Sequence, residues 1–238
     1  MPSFAAIIPA RGGSKGIKKK NIQPLMGKPL ICFSIESALE SSYIKDVFVS
    51  TDSEEIKEAA KAYNRVKIID RPAELALDTT PTEPVLLHTL DYIKREDGSF
   101  PDYIVLLQPT SPYRRKGAID RCIEKILETG ADSLLTVCEN HSFFWKYNDG
   151  NAAALYDYKN RPRRQDIKAE DKWYRENGSV YITKADILLK ERNRLGGRIA
   201  MYAMSEEESV EVDSLYELML LDIIMRNEGY KSEVDKDR

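Results

Sequence analysis

Short runs of β-branched and apolar residues, each followed by a segment of helical period, recur from the N-terminus to residue 138, and that alternation admits few folds. Phe4 to Pro9, Asp46 to Ser50, Val66 to Ile69, Tyr103 to Leu107 and Ser133 to Cys138 read as strands. Lys28-Pro29 opens a helix with Leu30, Ile31, Ile35, Ala38 and Leu39 on one face. Asp52 reads as the N-cap of a second helix, with Glu55 completing a capping box and the helix running through Ala62. Thr82 reads as the N-cap of a third, with Pro84 in its first turn and an end near Arg95. Residues 116 to 129 carry Ile119, Cys122, Ile123, Ile126 and Leu127 on one face. This pattern predicts an α/β fold with a mostly parallel, doubly wound sheet. The continuous apolar run YIVLL at 103–107 predicts a central strand.

In such sheets ligands bind beyond the carboxyl ends of the strands. The loop 11–21, the loop after Ser50 and the turn Gln108–Pro112 are therefore expected to share one cleft. The first of these, from Arg11 to Asn21, turns through Gly12 and Gly13 and carries Arg11, Lys15, Lys18, Lys19 and Lys20. Paired glycines allow positive φ and close approach of backbone N–H groups to an anion. Cations this dense repel one another unless something negative sits among them, and a triphosphate would serve. A solvated basic loop is the plainer alternative. Neither the G-x-x-x-x-G-K-[ST] nor the G-x-G-x-x-G spacing is present.

Composition narrows the classes. The 238-residue chain is 42% hydrophobic, enough for one large α/β domain. A net charge of −3 argues against nonspecific nucleic-acid binding. Three scattered cysteines, Cys32, Cys122 and Cys138, read as reduced core thiols of a cytoplasmic protein. There is no secretion signal pattern and no 18-residue apolar run, so neither export nor a membrane partner is expected. Two histidines, His88 and His141, leave little room for histidine chemistry and are assigned to structure or surface.

Residues 140–176 break the rhythm with Phe143, Phe144, Trp145, Tyr147, Tyr156, Tyr158, Trp173 and Tyr174 among polar residues. A structureless loop this long is uncommon. The expectation is an inserted hairpin arm packed on a second subunit, since its aromatics would otherwise form a large exposed patch. Regularity returns with a strand at Ser179 to Thr183, a helix from Lys184 to Asn193 and a strand at Ile199 to Ala203. A final helix starts near Asp213, with Leu215, Leu218, Met219, Leu221 and Ile223 giving a broad apolar face, before a charged tail over Tyr230 to Arg238.

Several other groups have two readings. Arg71 with Thr79, Thr80 and Thr82 suits a ribose or base edge, or ordinary turn chemistry. Gln108 matches the donor and acceptor edge of cytosine, or is simply a polar strand end. Arg161, Arg163 and Arg164 present guanidinium forks for carboxylate or phosphate, although RPRR also has the look of a localisation signal. Glu176-Asn177-Gly178 passes for a plain turn. In an extended chain Glu211 and Asp213 point to one side and form a hard-oxygen pair for Mg²⁺, or else they continue the acidic surface run of Glu206 to Glu208.

Taken together, IPARGGSKGIKKKN, VSTD at 49–52, RPAELALDTTPT, LQPTSP, RPRRQD, YRENGSVYI and SVEVD resemble the acylneuraminate cytidylyltransferases, the CMP-sialic acid synthetases. The segments span residues 7 to 213 in the order the family shows. The resemblance implies a single cytidylyltransferase domain over residues 1–238, of nucleotide-diphospho-sugar transferase type, with 140–176 as a dimerisation and active-site arm. It implies transfer of CMP from CTP to the anomeric hydroxyl of a nonulosonic acid, with Mg²⁺, in a homodimer. By motif, Arg11, Lys15 and Arg163 would be catalytic. Arg11, Asn21, Arg71, Thr80, Thr82 and Gln108 would bind the nucleotide. Gln108, Arg163, Arg164, Arg175, Asn177 and Gly178 would bind the sugar, and Asp213 with Glu211 the metal. The family has serines where Thr80 and Thr82 stand, and aspartate where Glu211 stands, so Asp213 is the firmer ligand. Activation of Kdo, or of a legionaminic or pseudaminic acid, is the neighbouring alternative. A nonenzymatic nucleotide- or RNA-binding protein is the remote one.

Overall fold

Seven strands form one sheet, and all but one run parallel. In the computed structural model, which describes residues 1–230, the strands are β1 (Phe4–Pro9), β2 (Ile44–Thr51), β3 (Val66–Asp70), β4 (Tyr103–Leu107), β5 (Ser133–Asn140), β6 (Trp173–Lys184) and β7 (Ile199–Met204). Their order across the sheet is β7-β5-β6-β4-β1-β2-β3. β6 runs antiparallel to both neighbours, and the other pairings are parallel. Two buried clusters sandwich this sheet. One face takes α1 (Leu30–Glu40), α2 (Glu54–Lys61) and α4 (Ala118–Thr129) through Ile31, Ile35, Ile56, Ile119, Ile123 and Ile126. The other takes α3 (Thr82–Asp97) and α5 (Ala185–Glu191) through Leu86, Leu90, Ile93 and Leu188. Helices on both faces of a mostly parallel sheet make the doubly wound architecture that the alternation requires. Tyr103–Leu107 is buried along its whole length in the middle of the sheet.

Local details differ from the sequence reading in ways that matter for the site. Asp52 is not a helix cap. Ser53 precedes α2, and the Asp52 carboxylate accepts the Gly12 N–H at 2.8 Å. Pro81 rather than Thr82 precedes α3, which frees the Thr82 side chain. Gly12 and Gly13 have no positive φ; the left-handed residue of that loop is Lys19, at φ 54°. Gly12 is needed for space instead, since a Cβ there would lie 2.9 Å from Ser53 Cβ. The last helix, α6 (Leu215–Asn227), starts after a Ser214–Glu217 capping box. It buries Leu221 and Met225 while Leu215, Met219 and Ile223 stay exposed, so its apolar surface exceeds what its own chain covers.

A third, smaller apolar cluster fixes the approach of distant segments. Ile17 from the basic loop, Leu25, Leu30, Tyr113, Val212 and the α6 residues Leu221 and Met225 pack together. Ile17 and Val212 are nearly fully buried. Their burial pins the basic loop against the acidic segment 211–213.

Residues 141–172 leave the main sheet. A hairpin pairs Trp145–Asn148 with Asn151–Ala154 around Asp149 and Gly150, both at positive φ as a two-residue primed turn demands. Two 3₁₀ turns follow, at Arg164–Asp166 and Ala169–Asp171. Trp173 to Glu176 already pair with β5, so the end of the 140–176 segment is part of the main sheet. Of the charged tail expected from Tyr230 onward, residues 231–238 lie outside the described residues.

Candidate active site

The carboxyl ends of the parallel strands β1, β3 and β4 deliver Arg11, Arg71 and Gln108 to one cleft of about 260 Å³. Arg11, Lys15, Asn21, Arg71, Thr80, Thr82 and Gln108 all line it, joined by Lys20, Asp78 and Thr110. Residues some hundred positions apart therefore meet because parallel strands start on one side and end on the other.

Each side chain is held by its local structure. Arg71 is 8% exposed, and its guanidinium donates to the Ser50 carbonyl at 2.6 Å and to Ser50 Oγ at 3.3 Å. Burial pulls its pKa down to about 10, the nearby Asp52 opposing and Arg11 adding to the shift. Asn21 Nδ2 donates to the Arg11 carbonyl at 2.9 Å and closes the basic loop on itself. Thr80 Oγ1 donates to the Glu74 carbonyl at 3.0 Å, leaving its lone pairs for a ligand.

Four of the five crowded cations, Arg11, Lys15, Lys19 and Lys20, have anionic partners within the chain. Asp78 takes Arg11 Nη2 at 2.7 Å and Lys15 Nζ at 3.3 Å. Glu55 takes Lys19 at 2.5 Å, and Asp213 takes Lys20 at 2.8 Å. Asp78 thus stands where an anionic ligand would compete for Arg11 and Lys15. Sequence reasoning quoted this residue inside RPAELALDTTPT without giving it a role, because an aspartate in a polar loop carries no periodic signal.

The acidic pair reaches the rim of the same cleft. Val212 is fully buried and donates its N–H to the Thr110 carbonyl at 2.7 Å, which turns Glu211 and Asp213 the other way. The Lys20–Asp213 ion pair and the Asp213 carbonyl, which a Cβ on Gly16 would approach to 2.5 Å, tie this segment to the basic loop. Burial, with the charge of Asp213 second, raises the pKa of Glu211. A half-buried carboxylate whose charge burial disfavours, two residues from a second carboxylate, is a donor set that could hold Mg²⁺, which takes one or two carboxylates and fills its octahedron with phosphate oxygens and water.

The expected sugar residues separate into two groups. Gly178, at φ 65°, lies against the Gln108 and Glu211 side chains, and any Cβ there would collide with the Glu211 carboxylate. Asn177 is beneath the surface rather than on it. It is fully buried, Nδ2 donates to Ser209 Oγ at 2.9 Å, and Oδ1 accepts from Thr136 Oγ1 at 2.7 Å and the Ser179 N–H at 3.2 Å. With its amide so occupied, Asn177 holds the irregularity in β6 that follows Glu176. Arg175 donates to the Ser209 carbonyl at 3.2 Å and shares a second cavity with Arg164 and Glu206. Arg163 lies on the arm in a two-point pair with Asp166, at 2.7 and 3.2 Å. Neither Arg163 nor Arg164 lines the cleft of about 260 Å³ in its own chain.

Comparison with known proteins bears on what this cleft belongs to. The profile of the cytidylyltransferase family matches residues 5–224. The chain belongs to that family. It is 36% identical to N-acylneuraminate cytidylyltransferase A of Danio rerio over 88% of this chain and 48% of that protein. It is 34% identical to the N-acylneuraminate cytidylyltransferase of Streptococcus agalactiae over 87% of this chain and 50% of that one. The chain thus spans about half the length of these two relatives. It matches post-translational flagellin modification protein B of Campylobacter coli nearly end to end, at 30% identity over 98% of this chain and 99% of that one. Among solved structures, a CMP:2-keto-3-deoxy-manno-octonic acid synthetase in complex with CTP aligns with a TM-score of 0.69 at 18% identity, over 95% of this chain and 99% of that one. At that identity the likeness speaks for the fold. No described helix of this chain is long and apolar enough to cross a membrane.

Proposed function

We propose that this protein transfers CMP from CTP to the anomeric hydroxyl of a nonulosonic, sialic-type acid and releases pyrophosphate. The observation that carries this reading is the convergence of Arg11, Lys15, Arg71 and Gln108 on one cleft, with the Glu211–Asp213 pair at its rim. Arg11 and Lys15 exchange the Asp78 carboxylate for the triphosphate. Arg71, Thr80, Thr82 and Asn21 hold the ribose and base, and the Gln108 amide meets the donor and acceptor edge of cytosine. The acceptor lies toward Gly178, where its hydroxyl oxygen gives up its proton to water and forms a bond to the α-phosphorus as the bond to the pyrophosphate oxygen breaks. Such a transfer asks the protein for in-line positioning and charge neutralisation more than for covalent chemistry. Glu211 and Asp213 would hold Mg²⁺, which when bound neutralises charge on the phosphate oxygens.

Arg163 and Arg164 act, in this reading, on a second copy of the chain. Their place on an arm carrying exposed Trp145, Tyr147 and Tyr158 supports a homodimer in which each arm serves the neighbour's cleft. The buried free thiols Cys32, Cys122 and Cys138 support a cytoplasmic location. A second reading keeps the nucleotide and changes the acceptor. The end-to-end match to a protein named for flagellin modification, and not for sialic acid, is what keeps Kdo or a legionaminic or pseudaminic acid open as the acceptor.

A pyrophosphate-release assay with CTP and Mg²⁺ over a panel of sialic, legionaminic, pseudaminic and Kdo acids decides among these. Release with a nine-carbon acid supports the proposal, and the ranking of rates names the acceptor. Folded protein that turns over CTP with none of them defeats it.

A further inference from the structure

Asp78 is the one acid among the described side chains that line the cleft, where four cations, Arg11, Lys15, Lys20 and Arg71, line the same walls. Its two carboxylate oxygens are divided between two of these cations. Oδ1 lies 2.7 Å from Arg11 Nη2, and Oδ2 lies 3.3 Å from Lys15 Nζ. Each oxygen engages one cation, as two oxygens of a bridging phosphate would. All three side chains are open to water, at 28% for Arg11, 42% for Asp78 and 78% for Lys15. Ion pairs this exposed are weak and exchange readily. A cleft that has to take up a polyanion loses affinity by keeping a carboxylate on its cations, so the placement calls for a reason.

The segment that carries Asp78 is loosely attached. None of residues 72–81 is buried. The turn at Ala73–Leu75 is closed by the Leu75 N–H on the Pro72 carbonyl at 2.9 Å. Thr80 closes the next turn through its N–H on the Leu77 carbonyl at 3.1 Å and its Oγ1 on the Glu74 carbonyl at 3.0 Å. These bonds keep the shape of the segment without fastening it to the sheet, and the ion pairs of Asp78 join it to the basic loop. The carboxylate can therefore leave the cations and return at small cost. We propose that Asp78 is a built-in competitor for the polyphosphate: it holds Arg11 and Lys15 in the empty cleft, yields them one at a time to the triphosphate, and takes them back one at a time as pyrophosphate leaves. A polyanion held by several cations departs slowly when each broken contact can re-form. A carboxylate that captures each freed cation blocks that return, at the expense of a weaker hold on CTP. This rests on the assignment of Arg11 and Lys15 to the triphosphate in the proposed function.

Titration calorimetry on the full chain, at one concentration of salt and of Mg²⁺, tests this. It compares dissociation constants of CTP, inorganic pyrophosphate and CMP for the unaltered protein and for Asp78→Asn, Glu74→Gln and Arg11→Ala. Asparagine keeps the size of the side chain and removes its charge, and substitution at so exposed a position leaves the fold alone. Asp78→Asn is expected to tighten CTP and pyrophosphate alike, by about three- to tenfold, the worth of two exposed ion pairs. CMP, which lacks the two terminal phosphates, should bind as before. The inhibition constant of pyrophosphate during turnover should fall by the same factor. Glu74→Gln removes the same charge from the same segment and should change none of the three constants. Tightening of equal size in both variants would reduce the effect to general charge and overturn the proposal. No change in Asp78→Asn overturns it as well, and so does a joint weakening of CTP and CMP, which would put the carboxylate on the nucleoside. If Arg11→Ala leaves CTP and pyrophosphate binding untouched, the assignment of the triphosphate itself falls.

Discussion

The cleft and the arm are built on opposite plans. In the cleft and just beneath it, Arg71 and Asn177 are buried and held by a backbone carbonyl or by a network of serine and threonine hydroxyls. In the arm, Arg163 pairs with its near neighbour Asp166, and Trp145, Tyr147 and Tyr158 are 51%, 85% and 57% exposed. The cleft is preorganised by its own chain, which suits a site that must place charge with little reorganisation. The arm has large aromatic surface without a cover of its own, which is the character of a surface waiting for a partner. On the proposed function, a site divided in this way would keep its nucleotide half intact in one chain and leave its acceptor half to assembly.

The sharpest way to break this comparison is at the cleft. Arg11→Ala should lower turnover of CTP by about 10²–10³-fold while the melting temperature stays near that of the parent, as for other preorganised donors of charge-assisted bonds. Unchanged kinetics would remove Arg11 from the cleft's chemistry. On the arm, Arg163→Ala should cost about 10–100-fold in kcat/KM for the acceptor, the value of one charged hydrogen bond, with KM for CTP unchanged. A loss confined to CTP would place Arg163 with the nucleotide instead. Mixing Arg163→Ala with Arg11→Ala protein should restore part of the activity if arms serve neighbouring clefts.

A smaller effect is expected at Asn177, where substitution by alanine leaves Thr136 Oγ1, Ser209 Oγ and the Ser179 N–H short of a partner. Unfolding in denaturant should show a loss of about 1–3 kcal/mol. The equivalent change on the arm, Asn160→Ala, removes an exposed bond to Asp157 and should be nearly silent. Smallest is a pH effect at Glu211. Its folded pKa lies above the ordinary 4.5, so in metal-free protein its contribution is fully present below the unfolded value and is lost as pH rises through the folded one. Glu211→Gln should therefore raise the melting temperature at neutral pH, with the gain fading toward pH 4.5. A gain that persists there would mean that packing, not charge, is responsible.

The doubly wound architecture was legible because strand and helix periods alternate, and each core face follows from residues such as Ile31 and Ile35 or Leu86 and Leu90. The cation-rich loop and the strand-end positions Arg71 and Gln108 were legible for the same reason, since parallel strands end on one edge. The buried role of Asn177 was not. A polar side chain in a turn looks the same in sequence whether it faces solvent or the interior, and only the packing of β6 against β4 and β5 decides which.

By itself, then, the order of residues determined the layers of this protein and which loops share an edge, because periodicity and burial act locally along the chain. The tertiary structure alone decided that Asp78 stands among the cations, that Ile17 and Val212 draw the acidic pair to the cleft, and that Arg163 stays away from it. Those are consequences of contacts between segments far apart in sequence, where the gain from burying a few apolar side chains sets which charges become neighbours.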